Sequence, residues 1–168
     1  MRISFAAVIA CSLAFFIPHL AAAELPQPTG DIVLTVSGNI ATTNADGTAV
    51  FDQAMLDGML QRSTKATTPW YTGEQTFSGV VVSDLLDVLG ASGTSATVMA
   101  LNDYSAEIPL EEFRDMPIIL ASRVGGQTLS VRDKGPLMVI YPFDLDPSLS
   151  NELVFGRSVW QVSSIQIH

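Results

Sequence analysis

The sequence predicts an α+β domain built on mixed β-sheets with a few short helices. Three observations carry this. Short runs rich in β-branched residues recur along the chain between Gly, Pro, Asn and Asp punctuation; only two or three stretches show helical spacing; and one continuous apolar run, Leu137-Met138-Val139-Ile140-Tyr141, has the character of a central strand.

Residues 32–40 (Ile-Val-Leu-Thr-Val-Ser-Gly-Asn-Ile) read as the first strand, and Asn44-Ala45-Asp46-Gly47 supplies turn chemistry before residues 48–51, so a hairpin is the simplest reading. From Asp52, the residues Met55, Leu56, Met59 and Leu60 recur at helical spacing, which predicts a short helix ending near Arg62. Residues 63–77 are polar, carry Pro69 and Gly73, and are expected to form an irregular loop. No core periodicity demands its two adjacent aromatics, Trp70 and Tyr71, which makes the loop a functional candidate.

Ser83 is expected to cap a second helix, with Leu85, Leu86, Val88 and Leu89 as its apolar face and Gly90 as its stop. Residues 97–101 form the next expected strand, and Ala106, Ile108 and Leu110 continue the β pattern before a helical turn around Glu111 to Arg114. Residues 118–123 are a further strand, turning at Gly125-Gly126 into residues 128–131. After the central strand comes an acidic, Pro-containing loop, residues 142–156, and residues 158–167, carrying Trp160, alternate as the closing strand.

The amino terminus reads differently. Arg2, an apolar run to Leu20 and Ala21-Ala22-Ala23 form a signal peptide over residues 1–23, which implies export to the periplasm and leaves residues 24–168 as one domain, with residues 24–30 a flexible lead-in. Cleavage would remove Cys11, the one cysteine, and His19, leaving His168 as the one histidine. Such a domain cannot use disulfides and must bury a core instead. A Ser-His or Cys-His nucleophile is then out of reach. Without Arg2 the chain has seven Lys and Arg against 17 Asp and Glu, a net charge of −10 that repels nucleic acid and anionic membrane surfaces.

Several motifs occur in a fixed order: Phe77-Ser78-Gly79 leading to Asp84-Leu85-Leu86; Asn102-Asp103-Tyr104-Ser105 leading to Ile108-Pro109-Leu110-Glu111; Gly125-Gly126-Gln127-Thr128-Leu129; Lys134-Gly135-Pro136 with the central strand; and Val159-Trp160-Gln161-Val162. Together they resemble the sulfite-oxidase-like molybdopterin-binding domain family, whose fold has mixed β-sheets and a few short helices. The resemblance implies a pterin ligand. It also exposes two departures. Family enzymes hold molybdenum through a cysteine in the loop that corresponds to residues 64–76, where this chain has none, and they place a phosphate-binding lysine where this chain has Val159. A thiolate is the soft ligand such a metal needs, so molybdenum is not expected.

On this resemblance the candidate ligand-binding residues are Trp70, Asn102, Asp103, Tyr104, Arg132, Lys134 and Trp160. Trp70 and Trp160 offer flat faces for stacking a fused heterocycle, Asn102 and Asp103 could pair with an amino-pyrimidinone edge, and Arg132 and Lys134 fall where the family approaches its cofactor. Each has a plainer reading as well: Asn102-Asp103 as turn chemistry, Arg132 and Lys134 as surface ion pairs, Trp160 as a core residue. The small members without the cysteine resemble periplasmic proteins that bind a free pterin, such as a tetrahydropterin, and regulate a membrane protein that makes or degrades cyclic di-GMP through its periplasmic sensory domain. The alternative is a molybdopterin-dependent oxidoreductase, or a subunit of one, that manages without the cysteine; a purely protein-binding domain is a third.

Overall fold

The computed structural model describes residues 25–168, and the expected signal peptide lies outside the described residues. Two five-stranded sheets organise the chain. The first begins with β1 (Ile32–Gly38), whose Leu34 and Val36 face the core, and returns as β2 (Ala49–Asp52) through the expected turn at Asn44 to Thr48. On its other side β1 pairs in parallel with β10 (Val162–Ile167), with Val36 opposite Ile165. Antiparallel β5 (Ser95–Ala100) and β6 (Ser105–Pro109) complete the order β2-β1-β10-β5-β6. The closing strand of the sequence is therefore the middle strand of this sheet.

The second sheet runs β3 (Gln61–Thr67), β4 (Glu74–Val81), β7 (Ile119–Val124) and β8 (Gln127–Thr128), with β9 (Met138–Ile140) also paired to β7. Buried on both faces, β7 and β9 read in sequence as apolar runs without alternation. Helices α1 (Gln53–Asp57), α2 (Val82–Val88), α3 (Leu110–Asp115) and α4 (Glu152–Arg157) are short, and none among the described residues is long and apolar enough to cross a membrane. The α+β architecture agrees with the expectation. Its core is one cluster in which Phe51, Phe77, Phe113 and Tyr141 are the largest fully buried side chains.

Five local expectations are corrected. The first helix stops at Gly58 rather than near Arg62, because the spacing continued by Met59 and Leu60 is not used: Leu60 is 59% exposed. The expected irregular loop over residues 63–77 is mostly the β3–β4 hairpin, whose register runs from Gln61 opposite Val80 to Thr67 opposite Glu74. Ser83 does not cap α2; the cap position is Val81, which makes no side-chain hydrogen bond. Within the supposed acidic loop, Asp146 and Asn151 cap a 3₁₀ turn (Pro147–Leu149) and α4.

Finally, residues 25–30 are tied down rather than free. Leu25 is buried, and the Asp52 carboxylate accepts from the backbone N–H groups of Thr29 (2.7 Å) and Gly30 (2.8 Å) while also capping α1 through Met55 N–H (2.8 Å). These backbone donors hold the Asp52 pKa down at about 2. Because the folded value lies below the ordinary one, the stabilisation is complete above the usual carboxylate range and is lost as pH falls from about 4 towards 2. The expected result is a Tm that falls over that window, with Asp52→Asn less stable at neutral pH and shallower in its acid limb. Parallel acid limbs in a thermal-denaturation series would contradict this role.

Candidate functional site: an aromatic cavity between the sheets' loops

Three chain segments meet around a cavity of about 250 Å³ lined by Trp70, Asn102, Tyr104, Phe155, Gly156, Ser158, Val159 and Trp160. Trp70 comes from the tip of the β3–β4 hairpin, Asn102 and Tyr104 from the β5–β6 turn, and the rest from the end of α4 and the segment entering β10. The volume sits at the small end for ligand sites and suits one fused ring system rather than a dinucleotide.

Aromatic packing fixes the walls. Trp70 meets Phe155 at 5.5 Å between ring centroids and 80°, and Trp160 at 5.9 Å and 79°, both edge-to-face. Behind them Phe155 packs on Phe143, and Phe143 on Tyr141, linking the cavity to the core. The end of α4 is anchored by Glu112, which accepts from the buried Tyr141 hydroxyl (2.8 Å) and from the Arg157 guanidinium. Burial first, and then this bond to Glu112, push the Tyr141 phenol pKa up. Arg157 thus serves the scaffold beside Gly156 and Ser158 rather than the cavity.

The polar groups of the wall are uncharged. Asn102 Oδ1 accepts from Tyr104 N–H (3.2 Å), the Tyr104 hydroxyl donates to Gly156 O (2.8 Å), and the Ser158 hydroxyl donates to Val154 O (2.9 Å).

Of the residues expected from sequence, the structure brings Trp70, Asn102, Tyr104 and Trp160 to one cavity. Asp103 is not among them: it occupies the turn at φ 65° and is solvent-exposed. Arg132 and Lys134 also stand outside the wall. They belong to a 3₁₀ turn (Val131–Asp133) and its left-handed cap, tied to the site's edge where Gln161 donates to Val131 O and to Lys134 O. Neither makes an ion pair among the described residues; the Lys134 ammonium lies 4.6 Å over the Tyr71 ring, and the Tyr71 hydroxyl donates to Asp133 O. The surface ion-pair reading of these two cations is therefore not what the structure has.

Phe155, Gly156 and Ser158 were not expected in the site, since the first two fall in the stretch that reads as an acidic loop and Ser158 opens the expected closing strand. Val159 carries more weight. It is 1% exposed and gives the cavity an apolar surface at the position where the resemblance puts a phosphate-binding lysine.

These features define an α+β domain with a small, aromatic-walled cavity. The chain belongs to the oxidoreductase molybdopterin binding domain family, whose profile matches residues 24–145. The crystal structure of the sulfane dehydrogenase SoxCD from Paracoccus pantotrophus is similar to it, with a TM-score of 0.63 at 19% identity over 80% of this chain, and the chain spans 37% of the length of that neighbour. That likeness is one of fold. Among curated proteins, no sequence matches.

Do the residues present fit a molybdenum-bearing pterin? The wall offers no thiol, imidazole or cation, and the polar side chains of residues 64–76 that are buried are Thr64 and Thr68. The Thr64 hydroxyl pairs with Arg62, whereas Thr68 Oγ1 has no partner. A hydroxyl is a poor substitute for thiolate toward such a metal, and an anionic phosphate would find no counter-charge in the wall. The aromatic and amide groups fit the pterin ring; the metal and phosphate ends have no matching residues.

Proposed function

We propose that this domain binds a free pterin and acts as a non-catalytic receptor rather than as an oxidoreductase. The observation that carries the reading is the composition of the cavity wall, four aromatic rings with uncharged polar groups and no metal ligand. Membership of a molybdopterin-binding family supports a pterin-type ligand.

The protein is periplasmic on this reading, freed by cleavage of its leader. Its pterin-loaded form regulates the periplasmic sensory domain of a membrane protein that makes or degrades cyclic di-GMP. Exposed Leu101 and Leu153, beside cavity residues Asn102 and Phe155, together with half-exposed Tyr104, supply apolar surface for such a partner. A loaded cavity would alter that surface directly.

The test is to isolate the protein from its native compartment and assay both pterin fluorescence and metal content. The expected result is a stoichiometric pterin with molybdenum far below stoichiometry, and loss of the pterin in Trp70→Ala. Stoichiometric molybdenum would instead establish the oxidoreductase reading, which the family membership keeps as the competing one.

A further inference from the structure

Nothing in the fold requires the ligand of this cavity to be uncharged, yet every polar side chain in its wall is neutral and both of its hydroxyl donors are already spent. Tyr104 and Ser158 each give their one hydroxyl proton to a backbone carbonyl, Gly156 O and Val154 O. Asn102 differs. Its Oδ1 is committed to Tyr104 N–H at 3.2 Å, and because an N–H can be received only by the amide oxygen, this contact also fixes which end of the amide is which. The Asn102 NH₂ makes no hydrogen bond among the described residues and belongs to a side chain that lines the cavity.

Two of the cations nearby are held by partners, and the third, Arg132, makes no ion pair among the described residues but stands outside the wall. Arg157, between Gly156 and Ser158 in sequence, is paired with Glu112; the Lys134 ammonium rests on Tyr71; Val159 is apolar. A phosphate seated against this wall would give up part of its hydration with no counter-charge in the wall itself, in a protein of strongly negative net charge.

Resting on the pterin reading above, we propose that the site selects the uncharged, non-phosphorylated form of the heterocycle, with the Asn102 Nδ2 donor as the residue that reads an acceptor on the ring edge. Tyr104 Oη and Ser158 Oγ retain lone pairs and can accept from the ring but have no further proton to give. With both hydroxyl protons spent, the wall's remaining side-chain donors are the Asn102 amide and the indole N–H groups of Trp70 and Trp160, and the amide is the one of these that also carries an acceptor already committed to the turn.

Neopterin and its monophosphate ester test both parts, each titrated against the full domain by tryptophan emission. The expected result is binding of neopterin, with the monophosphate weaker by at least about tenfold. In Asn102→Asp, the carboxylate still accepts from Tyr104 N–H, so the turn is kept, but the donor becomes an acceptor. Neopterin affinity should fall by at least about tenfold while Tm stays within about 2 °C. Equal or tighter binding of the monophosphate would overturn the selection for a neutral ligand, most directly if Arg132→Ala abolished it. Unchanged neopterin binding in Asn102→Asp would overturn the role of the amide. Either result would leave the pterin reading standing, whereas a failure of neopterin and its ester alike would overturn that reading and this inference together.

Discussion

Gly79→Ala is expected to destabilise the domain by about 3 kcal/mol or more, and to leave little soluble protein. A methyl group on Gly79 would sit 1.9 Å from Leu120 O and 2.6 Å from Ala121 Cα, where β4 crosses to β7 at a register shift between Ser78 and Gly79. Those atoms are backbone, so no side chain can swing away. Strand β7 is buried on both faces and held by β9 on its far side, so the strands must part instead. Gly58→Ala is the matched control: its φ is −77° and its nearest neighbour would be Met55 O at 3.5 Å. That change should stay within about 0.5 kcal/mol or stabilise slightly. Urea denaturation of the two variants decides the point, and a Gly79→Ala loss as small as the control's would contradict the close approach.

Glu112→Ala is expected to cost about 2–3 kcal/mol. Its carboxylate is shared by the Tyr141 hydroxyl and the Arg157 guanidinium, and Tyr141 is fully buried. Removing the acceptor leaves a phenol in the core without a partner, which accounts for most of the loss. The ion-pair part is smaller, because the Arg157 and Glu112 side chains are 20% and 23% exposed and solvent screens them. Glu112→Gln, which keeps an acceptor for Tyr141, should recover roughly half of the loss. In a double-mutant cycle Tyr141→Phe should cost less in the Glu112→Ala background than in the natural protein, and strict additivity would argue against the shared bond. Ligand affinity should fall too, since Arg157 anchors the end of α4 that carries Phe155, Gly156 and Ser158.

Both residues show how far a sequence can be read. Gly79 was visible as part of the Phe77-Ser78-Gly79 motif, but the reason for a glycine there is a backbone contact more than 40 positions away. The β1–β2 hairpin was legible because β-branched residues and turn chemistry coincide. The β3–β4 hairpin was not. Strand β3 buries only Thr64 and Ala66 among Gln, Arg, Ser, Lys and Thr, so its period-two signal is too faint to separate from a polar loop. Helix α4 was hidden in the same way, because one buried residue, Val154, in an acidic Pro-containing stretch makes no helical stripe.

The site follows the same pattern. Trp70 stood out because nothing in the core called for it, and the structure uses that side chain as the corner of the cavity. Its meeting with Trp160, across the whole second sheet in sequence, depended on the hairpin that the sequence concealed. Asn102 and Asp103 looked alike as turn residues. Both are solvent-exposed, but Asp103 takes the left-handed position of the turn and Asn102 alone of the two lines the cavity.

Both tryptophans of the sequence line the cavity proposed to take a pterin without metal. Tryptophan emission therefore reports on the site with no background from elsewhere in the chain. Titration of the metal-free domain with neopterin should give saturable quenching at micromolar or lower concentration with one site per chain, and Trp70→Ala should abolish most of it. A flat titration under the same conditions, in a protein shown to be folded by its cooperative melt, would contradict the claim.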